Sequence, residues 1–392
     1  MGKSIVITGA TGFLGREIVA ALLQDDPKVR LTLLVRGKDD ADARRRGDQL
    51  LADVLSGAAL ADGKQRCDVV RADLEKELLG LDQAGYDALV KRTSAVIHGA
   101  ASVSFSLPLD EARRINVEGT RRILDLAQAA GARVDYIGTA YVAGDRRGLA
   151  REGELDVGQP FRNSYEQSKM EAEKLAQERS HTQPIAIFRP SIIVGDSVTG
   201  RTSSFKVLYW PLKIYGRGLW RVVPGRPQTP VDVVPSDYVV RAILHIRKDP
   251  KSAGQVYHLA AGPERSATLG ALSELAAEFF HVKPALFVQP GLFIKYARPL
   301  VDRFTWGNVK RILTNGRVYT PYLSLRLSFD TTNARRALAG SGIEVPRVEG
   351  YFETLFRYCI DTDWGKRPLP STTTAPSARG GGRPVAVARA DA

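Results

Sequence analysis

The chain of 392 residues is 44% hydrophobic and 25% charged, which is typical of a globular protein that forms one large α/β domain with a smaller appendage. Its two cysteines, Cys67 and Cys359, exclude a disulfide framework and a cysteine-based metal centre, so no metal site is expected. The sequence shows no signal peptide, no myristoylation pattern and no apolar run of membrane-spanning length, and we therefore expect a cytoplasmic protein.

The net charge of +13 indicates anionic partners. Part of the charge lies in the segment 366–392, which is rich in Pro, Gly, Ser, Thr and Arg without apolar periodicity. No nucleic-acid motif and no basic helix with interleaved aromatic residues is found in the sequence, so we expect no nucleic-acid partner. Phosphorylated small molecules are favoured as ligands.

The chain begins with an apolar strand that leads directly into a glycine-rich turn. Ser4–Thr8 has strand length, and a periodic helical stretch, Phe13–Leu23, follows. Such a turn presents backbone N–H groups and a positive helix N-terminus to a pyrophosphate. A glycine-rich turn of an unrelated α/β protein would look similar, but the strands that follow favour a dinucleotide site. The residues assigned to the cofactor here are Gly9, Thr11, Gly12, Phe13, Leu14 and Gly15.

The second predicted strand, Val29–Val35, ends at a basic residue. NAD-specific enzymes place an acid near this point to bind the ribose 2′-hydroxyl. Arg36 instead presents a guanidinium, which suits the 2′-phosphate of NADPH, and Arg46 in the following helix can reach back toward it. Asp39 and Asp40 leave a second interpretation open, a solvated cluster of charges.

Two further predicted strands end in residues that suit a cofactor lying across the sheet edge. Cys67–Arg71 is followed by Asp73 and Leu74, where a carboxylate can accept from the adenine amino group. Ser94–Ile97 is followed by small residues that give the cofactor room at the carboxyl edge. These small residues are Ala100 and Ala101.

Two polar residues near this edge have less obvious roles. His98 follows the fourth strand, and we favour packing or hydrogen bonding over catalysis as a base. A long helix is predicted over Asp110–Ala130, and Asn116 lies on its largely apolar face. We assign Asn116 to the cofactor site.

The fifth predicted strand, Val134–Gly138, delivers a hydroxyl residue, Thr139, to the same edge. The following helix carries Tyr165 and Lys169, which are four residues apart and therefore leave one face of the helix. An ammonium close to a phenol favours the phenolate, and both groups can point into one cleft. Thr139, Tyr165 and Lys169 are therefore candidates for one site at this edge.

The same Tyr–Lys spacing recurs at Tyr209 and Lys213. Because Pro211 lies between them and is expected to break helical geometry, we discard this second copy.

A sixth predicted strand, Pro184–Arg189, closes with Pro190 and Ser191, which we also assign to the cofactor. Alternation of strands and helices across this half predicts an α/β fold with a doubly wound parallel sheet, a Rossmann domain.

The pattern loosens after this half. We expect the Rossmann domain over 1–200, a region over 201–365 that mostly forms a smaller, insertion-built substrate lid with some elements returning to the core, and a disordered tail over 366–392. Two aromatic and basic stretches, Ser203–Val223 and Pro284–Leu325, are favoured as a cap over the substrate, while peripheral membrane contact stays open for them.

In order and spacing, the motifs resemble the extended short-chain dehydrogenase/reductase family. Within it, the chain is most similar to the thioester-reductase branch, which includes fatty acyl-CoA reductases and the reductase domains of carboxylic acid reductases. One departure is Gly138, since the family often has Ser before its Thr. The matching segments are TGATGFLG (Thr8–Gly15), LLVRG (Leu33–Gly37), ADLEKELLGL (Ala72–Leu81), HGAASVSF (His98–Phe105), NVEGT (Asn116–Thr120), GTAYV (Gly138–Val142), SYEQSK (Ser164–Lys169) and FRPSIIVG (Phe188–Gly195).

The resemblance implies a reaction catalysed by Thr139, Tyr165 and Lys169, of which the last two also bind the cofactor. NADPH would be the cofactor, and Lys169 would bind the nicotinamide ribose and lower the pKa of Tyr165. Tyr165 and Thr139 would donate to a carbonyl oxygen as hydride arrives. The implied substrate is an acyl-CoA or a phosphopantetheine-linked acyl group, reduced to an aldehyde, with a second hydride giving an alcohol.

Other functions use the same residues. A sugar-nucleotide epimerase or a 3β-hydroxysteroid dehydrogenase shares the Thr/Tyr/Lys set, and only the substrate pocket distinguishes them. A non-enzymatic dinucleotide-binding regulator is disfavoured because such proteins commonly lose Tyr or Lys, and both remain here. The sequence does not predict the oligomeric state.

Overall fold

Seven parallel strands form the central sheet of the protein. The structure is a computed structural model that describes residues 3–205, 208–217, 222–289, 322–323 and 325–367. The described strands of the whole chain are β1 (Ser4–Thr8), β2 (Leu31–Val35), β3 (Cys67–Arg71), β4 (Thr93–His98), β5 (Arg133–Ile137), β6 (Arg147–Ala150), β7 (Ile185–Pro190), β8 (Ile192–Val194), β9 (Val222–Pro224), β10 (Pro230–Val231), β11 (Val233–Pro235), β12 (Val256–Leu259), β13 (Ala267–Thr268), β14 (Leu286–Val288) and β15 (Arg326–Phe329). The central sheet contains β1, β2, β3, β4, β5, β7 and β12, and the others form two-stranded sheets.

Helices cover both faces of this sheet. The described helices of the whole chain are α1 (Phe13–Asp25), α2 (Asp40–Val54), α3 (Gly57–Arg66), α4 (Gln83–Arg92), α5 (Leu109–Arg113), α6 (Gly119–Ala130), α7 (Ser164–Arg179), α8 (Tyr209–Gly216), α9 (Ser236–Ile246), α10 (Gly262–Arg265), α11 (Leu269–Phe280), α12 (Thr332–Leu338) and α13 (Phe352–Asp361). In the described part of the chain, no helix is both long and apolar enough to cross a membrane.

The order of the strands locates the ligand-binding edge. The sheet runs β12-β7-β5-β4-β1-β2-β3, so the chain moves outward in one direction from β1 and then returns to start again at β4. A crevice opens at the carboxyl ends of the strands where the winding direction reverses. The predicted doubly wound parallel sheet is confirmed, and the largest difference in strand bounds is at β2, which begins at Leu31 rather than Val29.

Alternate residues of each strand feed two separate cores. On β1, Val6 packs into one cluster and Ile7 into the other, and on β4 Val96 and Ile97 divide in the same way. Because both faces are covered by helices, the strands are apolar on both sides; all five residues of β2 are buried.

The long helix expected over Asp110–Ala130 is interrupted. It contains α5 and α6, and between them Arg114–Glu118 forms a π-helical turn. Such a turn inserts one extra residue into the helix and commonly marks a functional site. Here it contains Asn116, which is buried.

The contacts divide the chain into two units. The first consists of Met1–Val194, Asp232–Ser266 and Leu325–Arg347, and contains the seven-stranded sheet. The second consists of Gly195–Val231, Ala267–Ser324 and Val348–Ala392. The residues 368–392 of the expected tail, and 290–321 of the second aromatic–basic stretch, lie outside the described residues.

The second unit has an aromatic core. Phe356 on α13 is fully buried and stacks on Phe352, with 4.5 Å between ring centroids. Phe280 on α11 meets the same ring edge-on at 5.7 Å, and Tyr209 on α8 lies 6.1 Å from it. Edge-on and offset ring pairs of this kind hold the helices of the unit together.

Candidate active site

The turn between β1 and α1 is shaped by backbone packing. Gly9 has φ +74°, a left-handed conformation that favours glycine, and its carbonyl accepts from Gly12 N at 2.9 Å. A Cβ on Gly15 would lie 2.1 Å from the Gly9 oxygen, and one on Gly9 would lie 2.7 Å from the carbonyl carbon of Gly99 after β4. The turn is therefore a close-packed cradle in which only glycines fit, as a pyrophosphate site requires.

The remaining residues assigned to this turn lie at its rim. Thr11, Phe13 and Leu14 are all partly exposed, and Thr11 carbonyl accepts from the Arg16 guanidinium at 3.3 Å. No acidic residue occupies the first turn of α1, so the positive end of the helix is not neutralised there.

Arg36 and Arg46 come together beside this turn. Arg36 is 73% exposed after β2, and the Arg46 guanidinium donates to its carbonyl oxygen. Glu75 is the nearest carboxylate, 3.8 Å from the Arg36 guanidinium, and it also pairs with Arg114 at 2.9 Å. The arrangement gives an accessible pair of cations at the end of β2.

The two aspartates near Arg36 have structural roles of their own. Asp39 caps α2 by accepting from Asp42 N at 2.8 Å, and Asp40 pairs with Arg71 at 2.8 Å. They are thus engaged at the start of α2 and at the end of β3.

The residues expected at the adenine follow β3. Asp73 N donates to the Leu79 carbonyl at 2.8 Å, and the Asp73 side chain accepts from Glu75 N at 3.1 Å. Leu74 is half-buried and its carbonyl accepts from Arg122 at 3.1 Å. These bonds fix the backbone of the segment at the carboxyl edge.

His98, at the end of β4, is a buried hydrogen-bonding residue. Its Nδ1 lies 2.6 Å from the Thr8 hydroxyl and its Nε2 lies 3.0 Å from the Thr120 hydroxyl. Burial lowers the pKa of His98 to about 3, so the ring is neutral. Ala100 N donates to the same Thr8 hydroxyl at 3.2 Å, and both Ala100 and its neighbour Ala101 are partly exposed at the edge.

Asn116 ties the loop after β4 to α7. Its amide oxygen accepts from Ser102 N at 2.8 Å, and its amide nitrogen donates to Ser102 O at 3.2 Å and to the Ser168 hydroxyl at 2.9 Å. The π-helical turn aims this side chain across the gap, and Asn116 thereby positions one turn of α7 relative to the small-residue loop.

The three residues assigned to catalysis come together at the ends of β5 and α7. Asn163 caps α7 by accepting from Glu166 N at 3.0 Å, and this places Tyr165 in its first turn. Burial raises the pKa of Tyr165 to about 12, and hydrogen bonding to the buried Thr139 side chain opposes that rise. Tyr165 is therefore a phenol, able to donate, at neutral pH.

Lys169 points into the protein from the same helix. Its Nζ donates to the Tyr136 hydroxyl at 2.8 Å and to the Ile137 carbonyl at 3.0 Å. Burial lowers the pKa of Lys169 to about 8, and the Glu173 carboxylate opposes that fall. The expectation that Lys169 lowers the pKa of Tyr165 was wrong, because burial dominates at Tyr165 and the ammonium bonds to β5 instead.

Pro190 and Ser191 lie where β7 ends, and both are buried. Ser191 N donates to the Leu259 carbonyl of β12 at 3.2 Å. Nearby, the buried Asp232 carboxylate accepts from Ala261 N at 2.8 Å and Gly262 N at 2.9 Å. Asp232 was not singled out from the sequence; it lies in the segment VDVVPSDYVV (Val231–Val240).

A buried ion pair next to the residues assigned to catalysis explains the departure at Gly138. Glu173 on α7 accepts from the Arg189 guanidinium of β7 at 2.8 Å, and both side chains are fully buried. The other Glu173 oxygen has no hydrogen-bond partner among the described residues, and a Cβ at position 138 would lie 3.0 Å from it. Glycine at 138 leaves room for this carboxylate.

The second Tyr–Lys copy forms a helix despite its proline, so the reason given for discarding it was wrong. Pro211 is the third residue of α8, in the first turn, where a proline needs no intrahelical donor. The two side chains have other partners: Tyr209 hydroxyl accepts from Gly195 N at 2.7 Å, and Lys213 Nζ lies 5.0 Å from the Trp364 ring centroid.

Comparison with known proteins identifies the family of the chain. The sequence model of an NAD-binding family, described as "Male sterility protein", matches residues 7–243. The chain belongs to this family. The match covers the glycine turn, the three residues assigned to catalysis and the segment that contains Asp232.

Relatives and solved structures agree with this assignment. Nonribosomal peptide synthetase asaC of Aspergillus flavus is 28% identical over 366 residues, which are 86% of this chain and 34% of that protein. Putative fatty acyl-CoA reductase CG8303 of Drosophila melanogaster is 27% identical over 279 residues, 62% of this chain and 51% of that protein. The chain thus spans about a third and about half of these two relatives.

Among solved structures, the terminal R domain from the myxalamid PKS-NRPS biosynthetic pathway has a TM-score of 0.79 and 27% identity, covering 94% of this chain and 92% of that one. The predicted family, the extended short-chain dehydrogenase/reductases with their thioester-reductase branch, is confirmed, as is the enzyme class, an NAD(P)-dependent oxidoreductase. Among the described residues, no group of three or more His, Cys, Asp or Glu is arranged to hold a metal ion.

Proposed function

We propose that this protein reduces an acyl thioester to an aldehyde, with NADPH as the electron donor. The observation that carries the proposal is the arrangement of Thr139, Tyr165 and Lys169 at the ends of β5 and α7, in the unit that also holds the glycine cradle. The relatives named as fatty acyl-CoA reductase and nonribosomal peptide synthetase support the choice of substrate.

The cofactor assignment rests on the glycine turn after β1 and on the basic residues after β2. The close-packed glycines leave the backbone of Gly9–Gly12 accessible to a pyrophosphate, and the α1 N-terminus favours its charge. Arg36, with Arg46 at its carbonyl, offers a guanidinium to a 2′-phosphate. Bound NADPH supplies the hydride. Lys169 is proposed to hold the nicotinamide ribose, and Asp73 the adenine.

The protein's part in the reaction is to hold a proton where charge develops. The substrate carbonyl oxygen becomes negative as hydride arrives, and Tyr165 Oη, a phenol at neutral pH, donates to it. Thr139 Oγ1 donates to the same oxygen and shares the developing charge. The resulting hemithioacetal breaks its C–S bond to give the aldehyde and a free thiol.

The thioester arm is proposed to be phosphopantetheine, carried either by CoA or by a carrier protein, since both present the same thiol. The acyl group is proposed to be selected by the region 201–365, whose second-unit segments have an aromatic core.

The test is to follow NADPH oxidation and free-thiol release together, with an acyl-CoA and with the same acyl group on a carrier protein. Wild-type protein is expected to release one thiol for each hydride equivalent that forms aldehyde. Tyr165→Phe keeps the ring but removes the proton, so turnover should fall by about 10²–10⁴-fold while NADPH affinity holds.

Tyr86→Phe, at a half-buried tyrosine of α4 away from the site, is the matched control and should retain wild-type turnover. Near-full turnover by Tyr165→Phe would show that Tyr165 is not the acid. Turnover of a sugar nucleotide or a sterol, with no reaction of either thioester, would keep the family and reject the proposed substrate.

A further inference from the structure

Tyr136 is a buried tyrosine of β5 to which neither the sequence nor the proposed reaction gave a role. It is fully buried, and the Lys169 ammonium lies both 2.8 Å from its hydroxyl and 4.4 Å from its ring centroid. We propose that Tyr136 is a positioning residue that orients the Lys169 ammonium and keeps it charged. This inference rests on the proposed role of Lys169 at the cofactor ribose.

The hydrogen-bonding capacity of the Lys169 ammonium determines which of the two groups donates. An ammonium has three N–H donors and no acceptor, so the Tyr136 oxygen must accept from Lys169. The phenol proton then needs another partner, and we assign it to the Thr120 hydroxyl, whose hydrogen bonding opposes the rise that burial causes in the pKa of Tyr136.

The bonds around Thr120 leave its oxygen available as an acceptor. Thr120 Oγ1 donates its own proton to the Asn116 carbonyl at 2.6 Å. It therefore accepts from Tyr136 and from the Nε2–H of His98, while His98 Nδ1 accepts from the Thr8 hydroxyl at 2.6 Å. This assignment satisfies every donor in the set with one neutral tautomer of His98.

The consequence for Lys169 is geometric. Tyr136 and the Ile137 carbonyl take two of its three N–H groups, and within the described part of the chain no further partner takes the third. The direction of the third N–H is thereby set by β5. A lysine that must contact a ribose hydroxyl gains from this pre-orientation, because little rotamer freedom remains to be lost on binding.

The charge of Lys169 depends on the same contact. The ionisable groups that face it are Tyr136 from β5, His98 from β4, and Tyr165 and Glu173 from its own helix, with Arg189 of β7 pairing Glu173. His98 is neutral, and the Glu173 carboxylate that opposes the fall in the Lys169 pKa is itself paired with Arg189. The groups in direct contact with the ammonium are the Ile137 carbonyl and the Tyr136 oxygen and ring, and of these Tyr136 is the one that a side-chain substitution can remove. Because the pKa of Lys169 is lowered to about 8, its charge is lost as the pH rises through this value.

The experiment measures the Kd of NADPH, and kcat/KM with an acyl-CoA, from pH 6 to pH 10. The NADPH affinity and the activity of the wild-type protein are expected to fall as the pH rises past the Lys169 pKa. This fall is the alkaline limb of the pH profile. Tyr136→Phe keeps the ring and removes the acceptor, so the limb should move down by about one pH unit, and affinity at pH 8 should fall several-fold.

Tyr257→Phe is the matched control: Tyr257 is a buried tyrosine of β12 whose ring stacks on Phe188 at 5.6 Å. It should leave the limb in place. An unchanged limb in Tyr136→Phe, or an equal shift in both variants, overturns the inference.

Three further outcomes are distinguished. If Tyr136→Phe does not fold, Thr120→Val decides: without its acceptor the phenol proton turns toward Lys169 and favours the neutral amine, so a lowered limb supports the inference and an unchanged limb overturns it. If wild-type protein reduces no thioester and its NADPH affinity has no alkaline limb, the proposed function fails and the inference fails with it. If the wild-type protein reduces a thioester and shows the alkaline limb, but Tyr136→Phe leaves the limb in place, the inference is rejected and the proposed function stands.

Discussion

The two parts of the proposed site, which lie at the carboxyl edge of the sheet, are built from different kinds of chemical group. The proposed phosphate end, which comprises the Gly9–Gly15 turn with Arg36 and Arg46, uses backbone groups and exposed charge. The proposed hydride end, which comprises Thr139, Tyr165 and Lys169, uses side chains from several elements, and those of Thr139 and Lys169 are buried. Residues close together in the sequence form the turn of the phosphate end. The hydride end, in contrast, exists only after β4, β5, β7 and α7 have packed together. Substitutions at the two ends should therefore change different properties of the protein: cofactor affinity at the phosphate end, and stability or rate at the hydride end.

The largest effect is expected at the phosphate end, from Gly15→Ala. The added Cβ would lie 2.1 Å from the Gly9 carbonyl oxygen and 2.7 Å from its carbon, and neither backbone atom can yield without opening the turn. We expect no measurable NADPH binding by calorimetry and a lowered melting temperature. Gly153→Ala is the control, because nothing lies within 4 Å of its Cβ. Wild-type affinity in Gly15→Ala would show that the turn is not the cradle described.

At the hydride end, Glu173→Gln should act on stability. It leaves the buried Arg189 guanidinium without a compensating charge, which costs about 3–5 kcal/mol of unfolding free energy. Glu171→Gln, on the same helix, breaks the exposed pair with Arg113 and should cost about 0–1 kcal/mol. Urea unfolding of the two variants measures the difference, and equal losses would contradict the structure's assignment of burial.

Thr139→Val should affect the rate more than binding. It keeps the side-chain shape but removes a donor to the developing charge, so kcat should fall by about 10²–10³-fold with little change in NADPH affinity. Thr139→Ser restores the hydroxyl and should recover most of the rate. Steady-state kinetics with an acyl-CoA tests both variants; a serine variant as slow as the valine variant would argue against a donor role.

The smallest effect is expected for Arg36→Ala. Because this guanidinium is 73% exposed and screened by solvent, the NADPH Kd should rise by only about tenfold, while the NADH Kd stays unchanged. The difference should shrink at high salt. Arg30→Ala, an exposed arginine just before the amino end of β2, serves as control. An equal loss for both cofactors would remove Arg36 from the 2′-phosphate site.

This contrast also explains how far the sequence could predict the protein. The glycine spacing specifies the phosphate end directly, because the same residues that make the turn also line it, and the strands were recovered because apolar runs fully buried on both faces have a simple pattern. The family's Thr, Tyr and Lys were found through their motifs.

The supporting residues were missed because their partners are distant in the chain. Tyr136 and Glu173 look like ordinary strand and helix residues until β5, β7 and α7 pack together. The π-helical turn at Arg114–Glu118 has the composition of a normal helix, and only the bonds of Asn116 to Ser102 and Ser168 reveal why the extra residue is there. Pro211 was misread because a proline in the first turn of a helix is tolerated.

The position of β12 at the edge of the sheet has a consequence for synthesis. Its neighbour β7 is complete at Pro190, but β12 begins only at Val256, after the excursion of the chain through Gly195–Val231. At about 5–20 residues per second, a ribosome needs roughly 3–13 seconds to make the intervening chain. During that interval a nascent sheet would present the open edge of β7, and a chaperone that binds unpaired strands would find it there.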